Sequence, residues 1–160
     1  MKNFSVTIIL ILVSFFLINC SSKNEKIIKP KKIIPLELLY KKAFTSFESG
    51  RYQEAIELFQ QVEINYGYTE WAPKALLLKS YIYYDSAKYL QALESLKNFK
   101  KMYSGNTREL VYAEYLIAIC LFEQININSR DQTNTNLSLQ QFNKVIKKYP
   151  NTIYADDLKI

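Results

Sequence analysis

Few side chains in this 160-residue sequence are equipped to make or break bonds. It contains no histidine, which removes imidazole acid–base catalysis and the usual zinc ligand sets. The two cysteines, Cys20 and Cys120, make no disulfide framework. Cys120 lies inside Leu116-Ile117-Ala118-Ile119-Cys120-Leu121-Phe122 and reads as a buried helix residue. The paired acids Asp156-Asp157 are adjacent, so on a helix their side chains diverge instead of converging on one substrate. Three glycines cannot build a phosphate-cradling loop. These absences argue against an enzyme and against a metal or other cofactor. What remains is binding chemistry, in thirteen tyrosines and a dispersed set of lysines. Lys41-Lys42, Lys97, Lys100-Lys101 and Lys147-Lys148 read as solvated helix faces and not as a nucleic-acid stripe, although attraction to anionic lipid remains open.

The first thiol has a different setting. Lys2 precedes Val6 to Ile18, a run broken only by Thr7 and Ser14, which has the basic flank and apolar core of a secretory signal. A spanning helix needs about 20 apolar residues, so the run is short for that purpose. Leu17-Ile18-Asn19-Cys20 resembles the bacterial lipobox, with Asn19 where a smaller residue is usual. That resemblance implies cleavage before Cys20 and a covalent N-terminal lipid, diacylglyceryl on sulfur and an N-acyl chain; several acyl chains anchor stably where one does not. An uncleaved hydrophobic anchor and ordinary secretion are the alternatives. Residues 1–19 are then a lipoprotein signal peptide. Residues 20–35, lysine-rich with Pro30 and Pro35, form a flexible tether, in which Ile27-Ile28 and Ile33-Ile34 are free to pack on the domain or a partner.

From Leu36 the texture changes. Leu36, Leu39, Tyr40, Ala43 and Phe47 recur at helical spacing, Gly50 offers a left-handed stop, and Tyr52, Ala55, Ile56, Phe59 and Val62 form a second stripe. Gly50-Arg51-Tyr52-Gln53-Glu54-Ala55-Ile56-Glu57-Leu58-Phe59 recurs 37 positions on as Ala87-Lys88-Tyr89-Leu90-Gln91-Ala92-Leu93-Glu94-Ser95-Leu96. A less regular third copy has Ser138 at the small position, Phe142, Val145 and Ile146 on its apolar face, and Tyr149-Pro150-Asn151 as its stop. Small residues at Ala55 and Ala92 let paired helices approach closely.

This pattern resembles the tetratricopeptide repeat, matched at Leu39, Ala43, Tyr52, Ala55 and Phe59 and again at Leu76, Tyr83, Tyr89, Ala92 and Leu96. Lys42 and Lys79 stand where leucine is common, and Gly67 and Ser104 replace a closing proline. The resemblance implies an all-α solenoid, a right-handed superhelix of about three hairpins, over 36–160. First helices are expected over 36–49, 72–86 and 107–124, in units at about 36–69, 72–105 and 107–151. A polar insert spans 123–136, and 152–160 opens a further helix, so the array reads as truncated or shortened.

Cys20, the tether, the first repeat, Arg130-Asp131-Gln132 and Phe142-Asn143-Lys144-Val145-Ile146 through Tyr149-Pro150-Asn151-Thr152-Ile153-Tyr154-Ala155 together resemble the BamD family of tetratricopeptide lipoproteins. The family implies a scaffold and client-binding subunit of the outer-membrane β-barrel assembly machinery. Its partners would be the barrel assembly subunit, accessory lipoproteins and the C-terminal segments of unfolded outer-membrane proteins, with no nucleic acid. Ser21, where aspartate would signal inner-membrane retention, fits lipid anchoring at the periplasmic face of the outer membrane. An adaptor for secretin assembly, envelope division or polysaccharide export is the alternative.

For a peptide groove the first helices offer Tyr40, Tyr81, Tyr83, Tyr84, Tyr112 and Tyr115, although any single one reads first as a packing residue. Lys42 and Lys79 suit a peptide carboxylate or a solvent or salt-bridge role. Arg130 and Asp131 are expected to lock the insert to the third unit.

Overall fold

The computed structural model describes residues 33–105, 107–125 and 132–159; Cys20, Arg130 and Asp131, with the signal peptide and most of the tether, lie outside them. Among the described residues the secondary structure is helical throughout: α1 (Leu36–Glu48), α2 (Tyr52–Asn65), α3 (Trp71–Asp85), α4 (Tyr89–Met102), α5 (Thr107–Glu123), α6 (Thr133–Lys148) and α7 (Ile153–Asp157). The helices pair in order as three hairpins, α1 with α2, α3 with α4 and α5 with α6, and the first helices α1, α3 and α5 lie side by side. This is the all-α, tetratricopeptide-type architecture expected from the repeat.

The first turn shows why the chain reverses. Gly50 adopts φ 71°, its N–H donates to the Phe47 carbonyl, and the next N–H, of Arg51, donates to Ser46. That pair of bonds closes a helix through a left-handed residue. The second turn repeats both bonds, from Ala87 to Tyr84 and from Lys88 to Tyr83, with alanine at φ 55°. A side chain in that region costs about 1–2 kcal/mol.

Burial follows the stripes. Ala55, Ala92 and Ser138 are sealed where paired helices meet, and Phe59 and Leu96 fill equivalent core positions. Each such large side chain contributes about 1.5–3 kcal/mol by leaving water. Two cores share α3: Ala75 and Ile82 face the first hairpin, while Leu76 and Leu77 face α4 and α5. Serving both, α3 carries apolar residues around most of its circumference. Cys120 is fully buried in the second core.

Of the two packing surfaces left open for Ile34 at the end of the tether, it takes the domain: it packs on the first core, and its carbonyl accepts a hydrogen bond from Tyr66 Oη at 2.7 Å. One boundary differs from expectation. At the insert, α5 continues through Glu123 and α6 begins at Thr133, so residues 133–136 are helical and not loop. Polar side chains suit a first helical turn: the Asn136 N–H donates to the Gln132 carbonyl, and Asn134 Nδ2 donates to the Gln124 carbonyl. Thr152 caps α7, its Oγ1 accepting from the Ala155 N–H. No described helix is long and apolar enough to cross a membrane.

Candidate functional site: an aromatic cleft across the first helices

Tyr40 and Phe47 of α1, Lys74, Leu77, Leu78 and Tyr81 of α3, and Glu109 and Tyr112 of α5 line a cleft of about 390 Å³. On α3 the four positions fall at i, i+3, i+4 and i+7, one row of a helix. The rings are held by their neighbours. Tyr40 lies edge-on to Trp71 (4.7 Å between centroids) and to Phe59 (5.5 Å), and Phe47 lies edge-on to Tyr81 at 6.0 Å. Each such contact contributes about 0.5–1.5 kcal/mol beyond simple burial.

Burial pushes the Tyr112 hydroxyl well above its ordinary pKa and raises that of Tyr40. Both phenols therefore stay un-ionised across the physiological range, able to donate and accept. Tyr115, raised by burial and then by the hydrogen bond it donates to Asp157 (2.7 Å), packs on Tyr112 and Tyr154 outside the cleft. The charge at the rim is one cation and one carboxylate. Lys74 Nζ sits 5.6 Å from the Trp71 ring and 3.3 Å from Glu70, and Glu109 stands on the neighbouring helix. An apolar floor, neutral hydroxyls and a sparsely charged rim suit an extended, aromatic-bearing peptide.

The residues picked from the sequence do not form one groove. Tyr40 and Tyr112 line the cleft. Tyr84 packs between Tyr81 and Tyr89. Lys79 and Tyr83 line a different, polar cavity of about 400 Å³ with Gln60, Gln91, Glu94 and Asn98. They are separated from Tyr81 by two residues on either side, which on a helix is about 200° of rotation. Lys79 is also committed elsewhere, 2.6 Å from Glu63 of α2 with both side chains largely covered. Lys42 is exposed beside a third cavity, with Ile34, Leu38 and Arg51. Neither lysine lines the aromatic cleft, whose cation is Lys74. Lys74, Leu77 and Leu78, absent from the sequence-based set, were signalled by their common row.

The third wall of the cleft is fixed by Glu114, five residues past Glu109 on α5 and almost wholly buried. Its carboxylate takes Lys100 of α4 at 3.0 Å, Lys144 of α6 at 2.9 Å and the Gln141 side chain. Burial pushes this carboxyl up, but the bonds from Lys144, Gln141 and Lys100 outweigh burial and hold it below its ordinary value. No group of side chains suited to hold a metal ion occurs among the described residues.

Stacked hairpins whose first helices share an aromatic cleft define a helical-repeat scaffold of the tetratricopeptide type. Residues 34–160 match the family model YfiO, described as outer membrane lipoprotein, and the chain belongs to that family. It is similar to the outer membrane protein assembly factor BamD of Caulobacter vibrioides, 35% identical over 98% of this chain and 51% of the relative. The factor of the same name from Rickettsia prowazekii is 30% identical over 92% of this chain and 57% of its own length. The chain thus spans about half the length of the curated relatives it matches. Family membership carries association with the outer membrane.

Proposed function

We propose that this protein is tethered through a lipid on Cys20 to the periplasmic face of the outer membrane, as a scaffold and client-binding subunit of β-barrel protein assembly. The observation that carries the reading is the cleft of Tyr40, Phe47, Tyr81 and Tyr112 across three successive first helices. It would receive the extended, aromatic C-terminal segments of unfolded barrel proteins, while the barrel assembly subunit and accessory lipoproteins are the protein partners. The names of the BamD relatives support the same role.

The test is site-specific photo-crosslinking to synthetic barrel-protein C-terminal peptides, with the crosslinking residue at Tyr81 in the cleft or at Tyr83 in the polar cavity. Labelling from position 81 alone, competed by unlabelled peptide, is expected; equal labelling from both positions overturns the cleft. Affinity isolation from membranes should recover the barrel assembly subunit. Recovery of a secretin or a division protein in its place would overturn the assignment.

A further inference from the structure

The antiparallel hairpins place the starts of α1, α3 and α5 and the ends of α2, α4 and α6 at one end of the domain. The Tyr66–Ile34 hydrogen bond fixes this geometry at the point where the chain enters the fold. At that same end Ile64, in the last turn of α2, is 72% exposed, Tyr68, in the connection that follows, is fully exposed, and Met102, the last residue of α4, is 58% exposed. Lys101, Lys147 and Lys148 close the last turns of α4 and α6 beside them, exposed and in no ion pair among the described residues. Of the local carboxylates, Glu70 is paired with Lys74, Asp156 with Lys159 and Glu63 with Lys79, leaving Glu37, Glu109 and Asp157, the last accepting a hydrogen bond from Tyr115. Among the described residues the opposite end has the other sign, with Glu48, Asp85 and Glu123 against Lys88 once Arg51 and Glu54 have paired.

We propose that this end of the domain docks on a phospholipid bilayer bearing anionic headgroups, with Ile64, Tyr68 and Met102 at the interface and Lys101, Lys147 and Lys148 over the phosphates. Charge complementarity selects the occupant: exposed apolar and aromatic side chains at an end that also carries three exposed lysines in no ion pair match the interface of an anionic membrane, and a tyrosine is at home at headgroup depth. Chain length is compatible. Ile33 follows Cys20 by thirteen residues, so even a fully extended connection keeps the entry end within about 45 Å of an anchor there. Docking in this orientation turns the cleft wall sideways to the membrane plane and leaves the opposite end pointing away from it. The inference rests on the lipid-anchor reading above only for bringing the domain to the surface.

The full chain is reconstituted in vesicles of phosphatidylethanolamine and phosphatidylglycerol, with an environment-sensitive fluorophore on Ile64→Cys or on the equally exposed Leu90→Cys of the opposite end. Spin-labelled lipids serve as quenchers, and the labelled parent, holding only Cys20 and Cys120, sets the background. Quenching at position 64 and not at 90 is expected, lost in phosphatidylcholine vesicles and at high salt. Each lysine contributes roughly fivefold to such binding, so K101E/K147E/K148E should reduce the docked fraction by tenfold or more at unchanged helicity. Tyr68→Ser, a surface change, provides a milder second variant with a severalfold loss. Equal quenching at both positions, or quenching at 64 that ignores lipid charge, overturns the proposal. The mass of the N-terminal peptide reports the anchor separately: an unacylated chain with selective quenching at 64 keeps the docking and removes the anchor, whereas an acylated chain without quenching does the reverse.

Discussion

Glu63 and Glu114 each sit where one hairpin meets the next, each against lysine, yet their carboxyls shift in opposite directions. Glu63, on α2, contacts Lys79 of α3; burial pushes its carboxyl up and the lysine offsets only part of that. Glu114, on α5, is more deeply covered, but three donors from α4 and α6 reach it and its carboxyl is held down. The extra donors filling its lone pairs are what hold the Glu114 carboxyl down. The first joint is held by apolar packing of Phe59, Val62 and Ile82, with an ion pair that adds little; the second depends on a polar knot laid over its core.

Substitution should separate the two joints. Glu114→Gln leaves Lys100 and Lys144 without a counter-charge and is expected to cost about 3 kcal/mol, read as a lowered midpoint in thermal or urea unfolding. Glu63→Gln removes a carboxylate whose burial already outweighs its pairing with Lys79, and should cost no more than about 1 kcal/mol. Equal losses would erase the contrast.

Acid titration sharpens it further. Because the folded carboxyl of Glu114 lies below the unfolded value of about 4.3, its contribution is present above that pH and drains away as the pH falls through the folded value. Glu63 has the opposite sign: its folded value is raised, so ionisation costs stability as the pH rises from about 4.3 through it. Urea unfolding between pH 3 and 6 should show the low-pH loss flattened in Glu114→Gln and the loss above it removed in Glu63→Gln.

The smallest effects are expected at the turns of the two matching hairpins. Nothing lies within 4 Å of a Cβ placed on Gly50, so Gly50→Ala meets only backbone strain and should lose about 1 kcal/mol. Ala87→Gly should gain less than that, since glycine's freedom in the unfolded chain offsets part of the relieved strain. A loss at Ala87→Gly would mean that the alanine side chain contributes packing.

Helices and turns were legible because they depend on local spacing. Leu39, Ala43 and Phe47 announce one face, and the 37-residue recurrence places Ala87 where Gly50 stands. The cleft was only half legible. Tyr40 and Tyr112 were visible as tyrosines on first helices, but α3 is apolar around most of its surface, so no stripe said which way Tyr81 or Tyr83 faces. The row Lys74, Leu77, Leu78 and Tyr81 distinguishes them once rotation along the helix is counted. The partners of Lys79 and Glu114 were not legible, because Glu63, Lys100 and Lys144 reach them from other helices and the contacts depend on how hairpins stack.

The side-by-side first helices also set a measure for whatever crosses them. Packed helix axes lie about 8–10 Å apart, and an extended strand advances about 3.3 Å per residue. A segment laid over α1, α3 and α5 would thus meet a new helix about every third residue, while its own side chains alternate every second one. The cleft and a strand agree in register only at intervals, so the spacing between a client's aromatic residues, more than their number, would decide how many of these helices it engages at once.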